Sequence, residues 1–280
     1  MDLSSAREAA RRIGLGARED PWPDYLARFH EERPGVIQEV IGRCRAGQRN
    51  PYAWLARSVS RTAGVVVDVC CGAGALSREI ANGQRLVIGV ERNDSELGLA
   101  EHGGGQIEWV HGSEDALPLA DSSVDAVVTS MGMVTTPDPR VLVAEASRVL
   151  RPGGVFACMA PTVRPVPVSM LRTVLELTAR VGSTPSFPGA LELRMNDLLA
   201  ECGLHKVEDA RSCYTYSVSG ISDADLLIGA MYLPGSTRAR RRSARNWLVR
   251  RAAGRGPVDI AVPMRRVVAQ KEAGPASGIA

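Results

Sequence analysis

Four residues frame the chemistry open to this chain: Asp68, Gly72, Gly74 and Glu91. Asp68 lies in the β-branched run Val65-Val66-Val67-Asp68-Val69, which leads into Cys70-Cys71-Gly72-Ala73-Gly74. A second such run, Val87-Ile88-Gly89-Val90-Glu91, also carries an acid, at its tip. Between the two, Ala75-Leu76-Ser77-Arg78-Glu79-Ile80 has a helical pattern. The order predicts strand, tight turn, helix and strand. Glycine lets backbone approach a bound molecule closely because no Cβ stands in the way. A carboxylate at the tip of the second strand can accept two hydrogen bonds from a ribose diol.

Gly72-x-Gly74 is also part of the dinucleotide fingerprint G-x-G-x-x-G, but Ser77 stands where the third glycine belongs. A pyrophosphate would want donors and positive potential at that turn, whereas Asp68 puts a negative charge at its mouth. A carboxylate there suits an ammonium or sulfonium group. The combination points to S-adenosylmethionine rather than NAD.

Two later segments extend the pattern. His111-Gly112-Ser113-Glu114-Asp115-Ala116-Leu117-Pro118 and the residues to Val128 read as loop, turn and buried strand. Val149-Leu150-Arg151-Pro152-Gly153-Gly154-Val155-Phe156 closes a helix and opens another strand. Together these motifs resemble the class I S-adenosylmethionine-dependent methyltransferases, in the small-molecule, type 11-like branch, over about residues 60–162. The resemblance implies an α/β three-layer sandwich with a mostly parallel seven-stranded Rossmann-like sheet, its last strand antiparallel, plus helical lid and cap insertions. It implies S-adenosyl-L-methionine as cofactor, with Glu91 on the ribose hydroxyls and Asp68 toward the methionine ammonium. Gly72 and Gly74 would give close backbone approach, with Cys70 in the same turn. Ser130 and Met131 would flank the methionyl group, and Arg92 would pack along the adenine. Ser113 and Glu114 fall in the adenine loop, where many relatives carry Asp at the position of Ser113.

The elements that must carry these residues alternate. Strands are expected near 65–69, 86–90, 107–110, 124–130 and 154–160, with helices near 75–82, 93–102 and 138–150. Such alternation calls for parallel strands joined by right-handed crossovers, with a ligand across their carboxyl ends. Residues 1–60 read as an N-terminal helical lid, with helices near 1–18, from Tyr25 (capped by Asp24), to about Arg45, and from Asn50-Pro51. Residues 61–162 form the cofactor-binding core and 163–202 a cap insertion. Residues 203–270 return to the sheet, with a helical insertion at 220–255, and 271–280 form a tail expected to be disordered.

Methyl transfer from an activated donor needs no fixed catalytic signature, since holding the reactants aligned supplies most of the effect. His30, beside Phe29 on the expected lid, is the candidate general base because histidine is the side chain suited to taking a proton near neutral pH. The six cysteines show no C-x-x-C spacing and no metal pattern, so no metal is expected. There is no leader-like apolar start and no run of the length a membrane span needs, so a cytoplasmic protein is expected.

Charge is unevenly distributed. Residues 236–258 hold eight arginines and no acid, so the rest of the chain carries a net charge of −5 against +3 overall. That cluster is the argument for an rRNA or tRNA methyltransferase. Aromatic residues make up only 4% of the chain, few for stacking bases, which argues against a nucleic-acid partner and for a small-molecule acceptor in a biosynthetic reaction. A third reading keeps the cofactor site on a protein of non-methylating activity.

Overall fold

The computed structural model describes residues 22–182 and 195–272. The expected helix near 1–18, residues 183–194 and most of the tail expected from 271 lie outside the described residues, while Lys271, counted with that tail, ends the last strand of the sheet.

Seven strands form one sheet in the order β3-β2-β1-β4-β5-β7-β6. They are β1 (Val65–Val69), β2 (Leu86–Glu91), β3 (Glu108–His111), β4 (Val124–Ser130), β5 (Leu150–Pro161), β6 (Leu204–Val218) and β7 (Val258–Lys271). The pairs from β3 through β5 are parallel, and β7 runs antiparallel to both β5 and β6. The chain order reverses beside β1, where the loops after β1 and β4 leave in opposite directions. That is the crevice where open α/β sheets bind ligands.

Helices α4 (Ala75–Ile80), α5 (Asp94–His102), α6 (Gly132–Thr135) and α7 (Pro139–Val149) connect the parallel strands. The central strands are largely buried and are correspondingly apolar apart from a few polar residues, Asp68 and Glu91 among them. Two apolar clusters result. One, around Val67, Val127, Leu142 and Phe156, lies under α7; the other, around Val66, Leu76, Met159 and Tyr214, lies under the N-terminal helices.

Those helices are α1 (Trp22–Glu32), α2 (Val36–Arg43) and α3 (Pro51–Ala56). Asp24 does not cap α1 as the sequence suggested: the helix starts at Trp22, and Asp24 lies in its first turn, with Pro23 in a position that needs no backbone donor. Pro34 falls in the turn before α2, which starts after Gly35 and ends two residues sooner than expected. Asn50 does cap α3, its side chain accepting from Ala53 N–H at 2.8 Å.

The remaining helices are α8 (Val168–Val181), α9 (Met195–Glu201), α10 (Ile221–Ala230) and α11 (Arg238–Arg255). Helices α10 and α11 interrupt the sheet between β6 and β7 and pack back over the lid side, where Ala224, Leu227, Ala244 and Leu248 join the apolar cluster. Among the described residues no helix is long and apolar enough to cross a membrane.

Candidate functional site

The turn after β1 is tight from its first residue. Cys70 adopts a left-handed conformation at φ 57°, followed by Gly72 at φ 53° and Gly74 at φ 80°. A Cβ on Gly72 would collide with the Gln38 side chain, and one on Gly74 with the Trp109 ring, so both positions require glycine. Across the crevice, β4 ends at Ser130, and Met131 turns left-handed at φ 72°. Left-handed non-glycine residues are costly and cluster at functional sites. Both Cys70 and Met131 face the same cavity.

Glu91 organises the turn from the neighbouring strand. Its Oε2 accepts from Gly72 N–H at 2.8 Å, and its Oε1 accepts from Arg92 N–H at 3.0 Å and Asn93 N–H at 2.9 Å. Burial pushes its carboxyl up, with the Asn93 and Gly72 donors pulling the other way.

Asp68 lies deeper, beneath the turn, and is fully enclosed. Its Oδ2 accepts from the Ser77 hydroxyl at 2.6 Å, while its Oδ1 is buried without a partner. Burial pushes this carboxyl up to about 7, against the Ser77 hydrogen bond and helped by the charge of Glu91.

A cavity of about 440 Å³ opens above this floor, roofed by α1 and α2 and by the residues after α10. His30, Cys70, Gly72, Glu91, Arg92, Glu114, Ser130 and Met131 all line it. Asp68, Gly74 and Ser113 do not. Ser113 instead directs its hydroxyl to Glu114 at 3.3 Å, and Arg92 pairs with the buried Glu114 at 3.2 Å rather than standing free.

Three further residues belong to the site. Gln38, on α2, clamps the glycine turn: its Nε2 donates to Cys71 O at 2.7 Å and its Oε1 accepts from Ala75 N–H at 3.0 Å. The signal was a lone amide among Val36, Ile37, Val40 and Ile41. Glu96 reads locally as part of an N-terminal capping box with Asn93, which does accept from Glu96 N–H at 3.0 Å. Its carboxylate, however, turns into the cavity and meets His30 at 2.7 Å. Tyr232 reaches the other side of the same imidazole, at 2.9 Å.

The donor set matches the cofactor inferred from the sequence. Asp68 Oδ1 beneath the cavity is a buried polar atom without a hydrogen-bond partner, and buried polar groups are seldom left unpaired. Bare backbone at Gly72 leaves room beside an acid at the strand tip. Among the described residues no cluster of His, Cys, Asp or Glu is arranged to hold a metal.

A seven-stranded sheet with one reversed strand, a glycine turn after β1 and an acid ending β2 defines the class I methyltransferase fold. Residues 67–158 match a family model described as a methyltransferase domain of type 11. A demethylmenaquinone methyltransferase of Shouchella clausii is 29% identical over 168 residues, covering 50% of this chain and 70% of that protein. A malonyl-(acyl-carrier protein) O-methyltransferase of Hahella chejuensis is 36% identical over 97 residues, which is 33% of this chain and only 35% of that protein. Among solved structures, the 4+2 cyclase SpnF aligns with a TM-score of 0.59 at 17% identity, over 89% of this chain and 96% of that one. A structure from Bacillus halodurans aligns with a TM-score of 0.55 at 18% identity, over 79% and 99% of the two chains. At such identities the likeness to the two structures is one of fold.

The chain carries a class I S-adenosylmethionine-dependent methyltransferase domain of the type 11 branch, and S-adenosylmethionine is the cofactor of that domain.

Proposed function

We propose that this protein transfers the methyl group of S-adenosylmethionine to a small-molecule acceptor inside the 440 Å³ cavity, in the cytoplasm and as a step of biosynthesis. The observation that carries this reading is the enclosure of one cavity by the acid-and-glycine floor on one side and His30 on the other. Bound there, the cofactor supplies an electrophilic methyl group on a sulfonium that leaves as a neutral thioether.

Glu91 would hold the ribose hydroxyls, and Asp68 the methionine ammonium, directly or through water. Gly72 and Gly74 would admit the cofactor close to backbone, Cys70, Ser130 and Met131 would flank its methionyl part, and Arg92, Ser113 and Glu114 would border the adenine. Helices α1 to α3, together with the 163–202 and 220–255 insertions, would act as lid and cap, leaving 61–162 as the cofactor-binding core. His30 would take the proton of a protonated acceptor.

Names of relatives that act on small molecules, demethylmenaquinone among them, support the choice of acceptor class. The arginines of α11 speak less for RNA than their number suggests, since several are tied into the protein. Arg241 donates to Leu233 O at 3.0 Å, Arg245 lies 3.4 Å from Asp225, and Arg251 lies 3.3 Å from Glu176.

Titration calorimetry tests the proposal. S-adenosylhomocysteine should bind and NAD should not. Glu91→Gln places an amide N–H against Gly72 N–H and should weaken that binding by about 1.5–3 kcal/mol, the scale for hydrogen bonds to a charged group. A folded Glu91→Gln protein with undiminished affinity would overturn the ribose assignment.

A further inference from the structure

Three distant segments converge on His30. It projects from α1, Glu96 comes from the first turn of α5, and Tyr232 follows α10. His30 Nδ1 lies 2.7 Å from Glu96 Oε1, and Nε2 lies 2.9 Å from the Tyr232 hydroxyl. A carboxylate oxygen only accepts, so Nδ1 carries a proton, and in the neutral ring Nε2 presents its lone pair to the phenol O–H. Glu96 is itself anchored, its Oε2 accepting from Gly35 N–H at 2.9 Å.

The Tyr232 ring is held in place by packing. It lies 4.8 Å from the Phe29 ring and 5.8 Å, edge-on, from the Trp22 ring. Burial, reinforced by the charge of Glu96, pushes its hydroxyl up, so the phenol keeps its proton and remains a donor.

All three residues line the cavity. Among the described residues, the charged groups that line the cavity with His30 are mostly acids: Asp24 on its own helix, Glu96 from α5, Glu91 from β2 and Glu114 beyond β3, against Arg92. An anionic acceptor is repelled by that set, so an acidic hydroxyl enters in its neutral form and loses its proton inside the cavity to become a good nucleophile. A neutral imidazole is a base matched to a weak acid, and far too weak for an aliphatic alcohol.

Building on the methyl-transfer reading, we propose that Glu96, His30 and Tyr232 form a proton-removal chain for an acceptor bearing a phenolic or enolic hydroxyl. Tyr232 is the catalytic residue that touches the acceptor, and Glu96 is a positioning residue. The acceptor proton passes to the Tyr232 oxygen as the Tyr232 proton passes to His30 Nε2. The acceptor oxygen bonds to the methyl carbon, the carbon–sulfur bond breaks, and its electron pair stays on sulfur. The positive charge lost at sulfur reappears on the imidazolium beside Glu96, so the net charge of the buried site is unchanged. That avoids the cost of creating an uncompensated buried charge.

The test uses 4-nitrophenol, whose ionised form is yellow, with the protein saturated in S-adenosylhomocysteine. At one pH unit below the probe's own pKa, about a tenth of it is ionised in solution. On binding, the yellow absorbance should rise at least about threefold, since the chain draws the proton to His30. Tyr232→Phe, which keeps the ring and its packing, should abolish the rise. Glu96→Gln should abolish it too, while leaving probe affinity within about threefold. Binding without ionisation, or a rise that survives both substitutions, overturns the chain. Failure of the probe to bind the loaded protein overturns the phenolic acceptor. Failure of S-adenosylhomocysteine itself to bind overturns the methyl-transfer reading beneath it, a separate result read by calorimetry before any probe is added.

Discussion

Replacing Asp68 with asparagine tests the deepest part of the site through proton release rather than activity. Asp68 is fully buried, with one oxygen bonded to Ser77 and the other without a partner, and its carboxyl is pushed up to about 7. In the free protein at pH 6, about nine molecules in ten therefore hold a proton there, and at pH 8 about one in ten. An ammonium group brought opposite the carboxylate favours its charged form and draws the pKa back down. Binding of S-adenosylhomocysteine, which carries that ammonium, should then release about 0.9 proton at pH 6 and about 0.1 at pH 8. Calorimetry in two buffers of different ionisation enthalpy measures this number directly. Asp68→Asn should release almost none at either pH, and at pH 8 should bind about 1.5–3 kcal/mol more weakly, roughly 10- to 150-fold. The sign of the unliganded stability follows from the same shift. The folded value is raised, so the carboxyl favours the fold below its unfolded value of about 3.9, and that contribution is lost as pH rises through about 7. Tight binding by the parent protein at pH 6 with no proton release, or equal release from Asp68→Asn, would refute the assignment of Asp68 to the ammonium.

Other substitutions probe the frame around the site. Gln38→Ala removes both clamps on the glycine turn, and at about 0.5–1.5 kcal/mol per hydrogen bond it should cost about tenfold in S-adenosylhomocysteine affinity; an unchanged dissociation constant would mean the turn holds its shape alone. Gly74→Ala forces a side chain into the left-handed region and against the Trp109 ring, and should lower the unfolding free energy by about 1–3 kcal/mol in urea titrations. Neutralising Arg238, Arg240 and Arg242 to glutamine, while sparing Arg241 because it holds the Leu233 carbonyl, should leave S-adenosylhomocysteine binding intact. If the parent protein instead binds a structured RNA tightly, and the triple variant flattens the slope against log salt by roughly 0.7 per lost contact to a single strand, the acceptor is RNA.

The sequence by itself determined the core of this protein because the determinants there are local. Val65–Val69 and Leu86–Glu91 are β-branched runs bounded by glycine or a charged residue, and such runs become buried parallel strands wherever helices cover both faces. The turn between them was legible for the same reason: the chain must bend left-handed at Gly72 and Gly74, and glycine does so without strain. Local reading went astray at Asp24, because an acid before an apolar run looks like a cap whether the helix begins there or two residues earlier.

Only the tertiary structure decided what His30 faces. Its partners are 66 and 202 residues away along the chain, and one of them, Glu96, sits where Asn93 caps its helix by accepting from Glu96 N–H, a local setting that hides where the carboxylate points. Tyr232 could equally have filled the core until the packing of α10 against the lid fixed it beside the imidazole. Likewise, nothing in the spacing of the chain states that Arg92 pairs with the buried carboxylate of Glu114. Propensities and turns are set by neighbours a few residues apart, and the sequence states them. Which side chains meet across the cavity depends on how the lid, α5 and the insertion after β6 pack together, and no spacing along the chain encodes that meeting.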